Sequence, residues 1–311
     1  MKSLLSVYLV LLSLTGWAQD SLAVQNTAGP DSTRIVPDDS LSLSTQTRRI
    51  RSWIVYGSSA LTIGSTYVYL QKKWWNENGT AFHFDKGRDG RYASNLDKVA
   101  HWMGGVFTAD VYYDAFRWAG ASERKAEWLA LGAAAFVQAG IEVKDGFAPY
   151  YGFSWRDVAF GTVGGFWPML QNRSGFLRDA QWKASYWQRT PKYFTERGIA
   201  IQRFSIDDYI NQTYWFSFSP EHFGGEGFRN FWPDWLQLSV GMGLEAETWS
   251  IGHTGEGGRH EWYIAPDINL IKLFKPKSTF AKTAFKVLKY IKIPAPTLRV
   301  RPKMRFYWLY F

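Results

Sequence analysis

The sequence predicts an α+β protein, a small-residue-rich helical bundle of about four helices followed by a β-rich C-terminal part that carries an amphipathic basic helix. Three observations carry this reading. Apolar residues keep a helical spacing from about residue 48 to residue 190, and the spacing changes to alternation after that point. Glycine and alanine crowd the first region, as in Gly104-Gly105, Gly132 to Ala135, and Gly161 with Gly164 and Gly165. In the second region, Leu236, Leu238, Val240, Met242 and Leu244 alternate with Gln237, Ser239, Gly241, Gly243 and Glu245, which places an apolar row on one face of a strand.

The chain opens with Lys2, the apolar run Leu4 to Leu14, and small residues at Gly16 and Ala18, the pattern of a secretory signal over residues 1–18. The run is shorter than the roughly 20 apolar residues of a membrane-spanning helix. Residues 19–47 are rich in Ser, Thr, Asp and Pro and read as a disordered leader, because they bury too little apolar surface to offset the entropy of ordering. Arg48, Arg49 and Arg51 then precede the uncharged stretch Ser52 to Leu70, which suits either a membrane helix or a buried core helix.

An irregular connection rich in Gly, Asn and aromatics follows over residues 74–95. Three helices are expected next, approximately Asn95–Trp118, Ser122–Val143 and Ser154–Gln171, with Ser122 as the N-cap of the second. Their small residues cost helix propensity in water and are better explained by close helix packing, as in membrane bundles. Residues 191–311 form the β-rich region. Weaker alternation marks Ile199–Ile206, Thr213–Phe218, Trp262–Leu273 and Leu298–Phe311, and Lys275–Lys292 reads as the basic amphipathic helix. The last residues, Arg305 to Phe311, resemble the aromatic terminal strand of outer-membrane proteins, although too few strands are visible for a large barrel.

Composition narrows the function classes. The absence of cysteine excludes disulfides, thiolate metal sites, cysteine nucleophiles and lipid attachment to an N-terminal cysteine. The 17 Trp, 17 Tyr and 22 Phe suit a membrane–water interface or an aromatic groove. A formal charge of +9 on an exported chain favours membrane lipids or anionic glycolipid as partners over nucleic acid. The sequence points to no cofactor and to no particular protein partner. It carries no phosphate-binding glycine loop, nucleophile elbow or zinc-protease helix.

The residues with chemistry lie on the small-residue helices. Asp97 and His101 stand four apart and share a helix face, Glu142 and Asp145 close the next helix, and Asp157 sits in the first turn of the third. Charged groups on apolar helices are costly unless paired or functional. A buried hydrogen-bonded network that fixes helix register is the favoured reading, ahead of catalysis with His101 as base and ahead of a metal site of unknown identity.

The runs Asp97-Lys-Val-Ala-His101, Glu142-Val-Lys-Asp145-Gly-Phe and Tyr151-Gly-Phe-Ser154-Trp-Arg-Asp157 resemble the YfiM-like family of periplasmic proteins common in Bacteroidetes, a family without an established activity. Asp208-Tyr-Ile-Asn211-Gln-Thr-Tyr-Trp215, Phe231-Trp-Pro-Asp-Trp235-Leu and Pro294-Ala-Pro-Thr297 resemble later blocks of its longer members. The order of these motifs is also similar, more remotely, to that of VanZ-like membrane proteins. The resemblance implies an Asn four residues after Asp157, where this chain has Gly161, so a site completed by that Asn would be impaired here. The combined expectation is an exported cell-envelope protein at the periplasmic face of the outer membrane, favoured over the soluble periplasm, with a non-enzymatic structural, assembly or transport role. The alternative is a membrane-associated enzyme acting on a lipid or lipid-linked glycan through Asp97, His101, Glu142 and Asp157.

Overall fold

The computed structural model describes residues 43–73, 79–87, 89–246 and 258–311. The expected signal, nearly all of the leader and His253 lie outside the described residues. Two compact units emerge, one drawn from Met1–Asp85, His101–Met169 and Ser278–Thr283, the other from Lys86–Ala100, Leu170–Lys277 and Ala284–Phe311. The order is helices first and an antiparallel sheet second, so the chain is α+β.

Helix α1 covers Thr45–Lys73, α2 Leu96–Trp118, α3 Glu123–Asp145 and α4 Trp155–Gly164, and the first unit holds α1, α3, α4 and the part of α2 from His101 onward. Helix α1 is neither of the two forms expected of residues 52–70 in full. Val55 packs with Ala109, Tyr113, Phe116, Ala126, Ala130 and Ala134 into one core cluster, while Trp53, Leu61 and Val68 are exposed. Ser122 and Ser154 accept the Lys125 and Asp157 backbone N–H groups, as their N-cap positions require. Among these helices α3 is long and apolar enough to cross a membrane.

The helix expected over residues 154–171 is two helices, because α4 stops at Gly164 and α5 (Trp167–Arg173) begins afresh. Pro168 accounts for the restart: a helix tolerates proline in its first turn, where no N–H partner is needed, and not in its interior. The glycines around this break permit contact between backbones. A Cβ at Gly105 would lie 1.8 Å from the Gly161 carbonyl oxygen, and one at Gly164 would lie 2.2 Å from that of Trp102. By contrast, Gly132 and Gly140 face open space, so not every small residue serves packing. Gly105→Ala must push α2 off α4 and is expected to cost about 1–3 kcal/mol or more in unfolding free energy, whereas Gly132→Ala, exposed and unobstructed within a helix, is expected to stabilise by up to about 1 kcal/mol. Chemical unfolding of the two variants beside the parent chain measures the difference.

In the second unit, strands β1 (Gln181–Tyr186), β2 (Gln212–Phe218), β3 (Leu236–Leu244), β4 (His260–Ile268), β5 (Ala295–Arg301) and β6 (Arg305–Tyr310) pair in sequence order as one antiparallel sheet. Short helices α6 (Gly175–Arg178), α7 (Lys192–Glu196), α8 (Glu226–Phe231), α9 (Leu270–Phe274) and α10 (Thr279–Leu288) precede or separate these strands along the chain, with Thr279–Thr283 of α10 in the first unit. β1 starts before residue 190, so the β region begins inside the segment expected to be helical. Residues 199–206, expected to alternate as a strand, form turns and coil. The expected strand 262–273 ends at Ile268, after which Asn269 caps α9 by accepting the Lys272 N–H. Phe280 on α10 is 81% exposed, so the apolar face of this basic helix is not fully covered.

The sheet is rolled and inverted. Thr213 on β2 and Tyr310 on β6 are separated by three intervening strands, about 19 Å across a flat sheet. Their hydroxyls nevertheless meet at 2.9 Å, and Trp187 packs edge-on against Tyr310. The concave face is the polar one. Gln237, Ser239 and Gly241 of β3 are buried beside Asp267, Ala265 and Tyr263 of β4. On the convex face, Trp182, Phe216, Val240, Ile264, Leu298 and Phe306 stand side by side, one per strand. Val240, Ile264 and Phe306 are 37%, 41% and 51% exposed, and Trp308 reaches 83%. A water-soluble sheet buries its apolar row and solvates its polar one, the reverse of this arrangement.

Candidate functional sites

The three small-residue helices bring together three of the five sequence candidates. His101 Nε2 lies 3.7 Å from Glu142 Oε1 and 3.8 Å from Asp157 Oδ1. The other ring nitrogen, Nδ1, is 2.8 Å from Gln138 Oε1, so the ring hydrogen-bonds the amide through Nδ1 and turns Nε2 toward the carboxylates. Glu142 is held as well: its Oε2 accepts the Ser154 backbone N–H at 3.0 Å, while Oε1 faces His101. Asp157 is fixed through its backbone, whose N–H donates to Ser154 Oγ at 3.2 Å. The His101 side chain retains 17% exposure, which leaves the cluster reachable from outside.

Asp97 and Asp145 do not belong to this triad. Asp97 is placed in the second unit, where Lys98 Nζ donates to Asp97 Oδ2 at 2.7 Å and also pairs closely with Asp89. Lys98 thus neutralises these carboxylates, whereas Arg156 is exposed. Asp145 is half-buried at the last position of α3, and its carbonyl oxygen accepts the Ala148 N–H. Sequence reasoning missed Gln138. Its signal was available, since Gln138 stands one turn before Glu142 on a helix otherwise lined by Ala and Gly.

Gly161 also acquires a reason. A Cβ there would lie 2.3 Å from Gln138 Cγ, and one at Gly104 would lie 2.9 Å from Gln138 Nε2. The missing Asn at 161 therefore leaves no hole, because the Gln138 carboxamide from α3 occupies that space.

The second unit holds two further polar groupings. Inside the rolled sheet, Asp267 binds Lys183 at 2.9 Å and Lys292 at 3.4 Å and accepts from Ser217 at 2.5 Å. Glu261 binds Arg189 at 2.6 Å and pairs with Arg299 as well. Trp215, Tyr263, Tyr310, Lys183 and Gln237 are among the largest fully buried side chains, so the interior of the roll is filled. Beside β1, Asp179, Glu221 and His222 form a second His–carboxylate group. Lys272 already supplies its cation, 3.0 Å from Asp179 and 3.6 Å from Glu221. Burial pushes the Asp179 carboxyl above the usual carboxylate range, opposed by the charges of Lys272 and His222.

Of the remaining histidines, His83 Nε2 is 3.1 Å from the Ala148 carbonyl oxygen and His260 Nε2 is 2.7 Å from that of Ser94, both structural contacts. Fold and sites together define an α+β protein with a helical His–carboxylate cluster and an inverted sheet. Comparison with family models, curated proteins and solved structures returns no match to the chain.

Proposed function

We propose that this chain is a cell-envelope protein that seats the convex face of its sheet in the acyl region of a membrane and serves a structural or assembly role. The observation that carries the proposal is the cross-strand row Trp182–Phe216–Val240–Ile264–Leu298–Phe306, apolar and outward, over a buried interior of charge pairs. Hydrocarbon is the solvent that rewards apolar-out, polar-in alternation. The partners are membrane lipids or an anionic glycolipid, in keeping with the +9 charge and with the lysines of α10 beside the exposed Phe280. The filled interior favours a plug or anchor over a solute channel. β3 and β4 have nine residues each, the lower limit for a tilted transmembrane strand of roughly 9–11, and the other strands are shorter. Export to the periplasmic face of the outer membrane and kinship with the YfiM-like family belong to the same proposal, on the strength of the N-terminal signal pattern and the quoted motifs.

The absence of cysteine makes a direct test available. Single-cysteine variants Val240→Cys and Ile264→Cys, labelled with an environment-sensitive fluorophore and reconstituted in vesicles, are expected to give blue-shifted emission quenched by bromolipid. Water-like emission without quenching, or release of the chain by carbonate washing, overturns the proposal.

A second reading has its own observation, the convergence of a partly exposed His101 with the buried carboxylates of Glu142 and Asp157: an enzyme acting on a lipid or lipid-linked glycan with His101 as base. It requires His101→Ala to abolish function in a complementation assay while leaving unfolding unchanged.

A further inference from the structure

We infer that His101, Glu142 and Asp157 form a binding site for one divalent transition-metal cation, of the zinc or manganese type, with His101 Nε2, Glu142 Oε1 and Asp157 Oδ1 as its protein ligands. The inference does not depend on the membrane seating proposed above.

Three features of the geometry support it. First, the separations of 3.7 and 3.8 Å from Nε2 to the two oxygens exceed hydrogen-bond length. They lie near the spacing of about 3.4 Å between ligand atoms that each stand about 2.1 Å from a tetrahedral centre. Second, Nδ1 is engaged by Gln138 Oε1, which leaves Nε2 as the ring atom that a metal could take beside the two carboxylate oxygens. One ring nitrogen and two carboxylate oxygens within 4.8 Å of one another make a donor set for a cation. Third, the outer contacts are those that orient metal ligands. Gln138 fixes the ring of His101, and the Ser154 N–H fixes the distal oxygen of Glu142. Gly104 and Gly161 reserve the space for Gln138, so the orienting amide is built into the packing of α2, α3 and α4.

The donor set selects the metal class. One imidazole with two carboxylates is mixed nitrogen–oxygen chemistry, suited to zinc and manganese, whereas magnesium and calcium prefer all-oxygen sites and copper(I) prefers sulfur. Three protein ligands leave at least one coordination position for water or a ligand oxygen, the arrangement of catalytic rather than closed structural zinc sites. The Asp179, Glu221 and His222 group serves as an internal comparison, because the Lys272 ammonium already pairs with both of its carboxylates.

The test uses the full chain purified in detergent, stripped with a chelator and titrated calorimetrically with zinc chloride and separately with manganese chloride. One equivalent per chain is expected for at least one of the two metals. Glu142→Gln and Asp157→Asn are each expected to weaken binding by at least 10-fold, and Gln138→Leu, which touches no metal, by about 10–100-fold. Asp179→Asn is expected to leave the titration unchanged. Near-ultraviolet circular dichroism identifies any variant that fails to fold, and cobalt(II) absorption of the parent chain then reports the site without a variant: strong d–d bands support a low-coordinate nitrogen–oxygen site. The inference is overturned by a folded parent chain that binds neither metal stoichiometrically and shows no such bands, by folded Glu142→Gln with parental affinity, or by loss of binding in Asp179→Asn alone.

Discussion

Val240→Lys is expected to abolish stable membrane seating, costing about 2–4 kcal/mol when the position lies near the bilayer midplane. Val240 is the fifth of nine residues in β3, on the convex row and 37% exposed. Its register partner on one side is Phe216 and on the other Ile264, so the new ammonium would stand in the middle of an apolar band. The two solvents predict opposite results. In water, a lysine at a partly exposed strand position changes stability within about 0.5 kcal/mol, and it lowers aggregation by interrupting an apolar surface. In lipid, the charge must be desolvated or must pull water toward itself. Unfolding in lipid vesicles and the membrane-bound fraction after carbonate washing both report the difference, with Val240→Ile as a control of similar shape. A membrane-bound fraction equal to that of the parent chain rejects lipid contact at this face.

The same inversion explains why the sequence revealed the strands better than their environment. Alternation in Leu236–Leu244 marks a strand and says nothing about which face is buried, because period two is identical for a sheet in water and a sheet in lipid. The deciding information is long-range: the roll that brings Thr213 to Tyr310 puts the serines and glutamines inside. β1 escaped recognition for a related reason. Its segment Gln181-Trp-Lys-Ala-Ser-Tyr186 alternates polar and apolar, but with a lysine that reads as a surface charge and is in fact buried against Asp267. Residues 199–206 erred in the opposite direction. Ile199 and Ile201 alternate, yet both are exposed and the segment finds no neighbouring strand.

The helical cluster was partly legible. Charged residues on Ala- and Gly-rich helices are conspicuous, and three of the five converge. Which three depends on where the helices cross, and that is set by Gly105, Gly161 and Gly164 through contacts no local pattern contains. Spacing alone grouped Asp97 with His101, whereas the carboxylate of Asp97 pairs with Lys98. Gln138 was overlooked because an uncharged amide on a helix is ordinary until its partner is known.

Asp267→Ala is expected to destabilise the sheet by about 3–5 kcal/mol, the cost of removing one partner from a buried ion group. The carboxylate is shared: Lys183 and Lys292, each with a side chain 1% exposed, both point at it, and Ser217 donates to it. Truncation leaves two ammonium groups in a filled interior with only carbonyl acceptors, those of Ile268 for Lys183 and of Pro266 and Ile293 for Lys292. Combining Asp267→Leu with Lys183→Met is expected to recover part of the loss, because apolar replacement of a buried pair is often neutral, with Lys292 as the remaining uncompensated charge. Denaturant unfolding in detergent or vesicles measures both variants. The magnitude also discriminates between roles. A water-filled lumen would screen the lysines and reduce the cost of Asp267→Ala to about 1 kcal/mol or less, the range of exposed pairs. A small loss would therefore argue for a wet passage and a transport role, whereas the expected large loss belongs to a dry, side-chain-filled roll whose charges hold the sheet in shape.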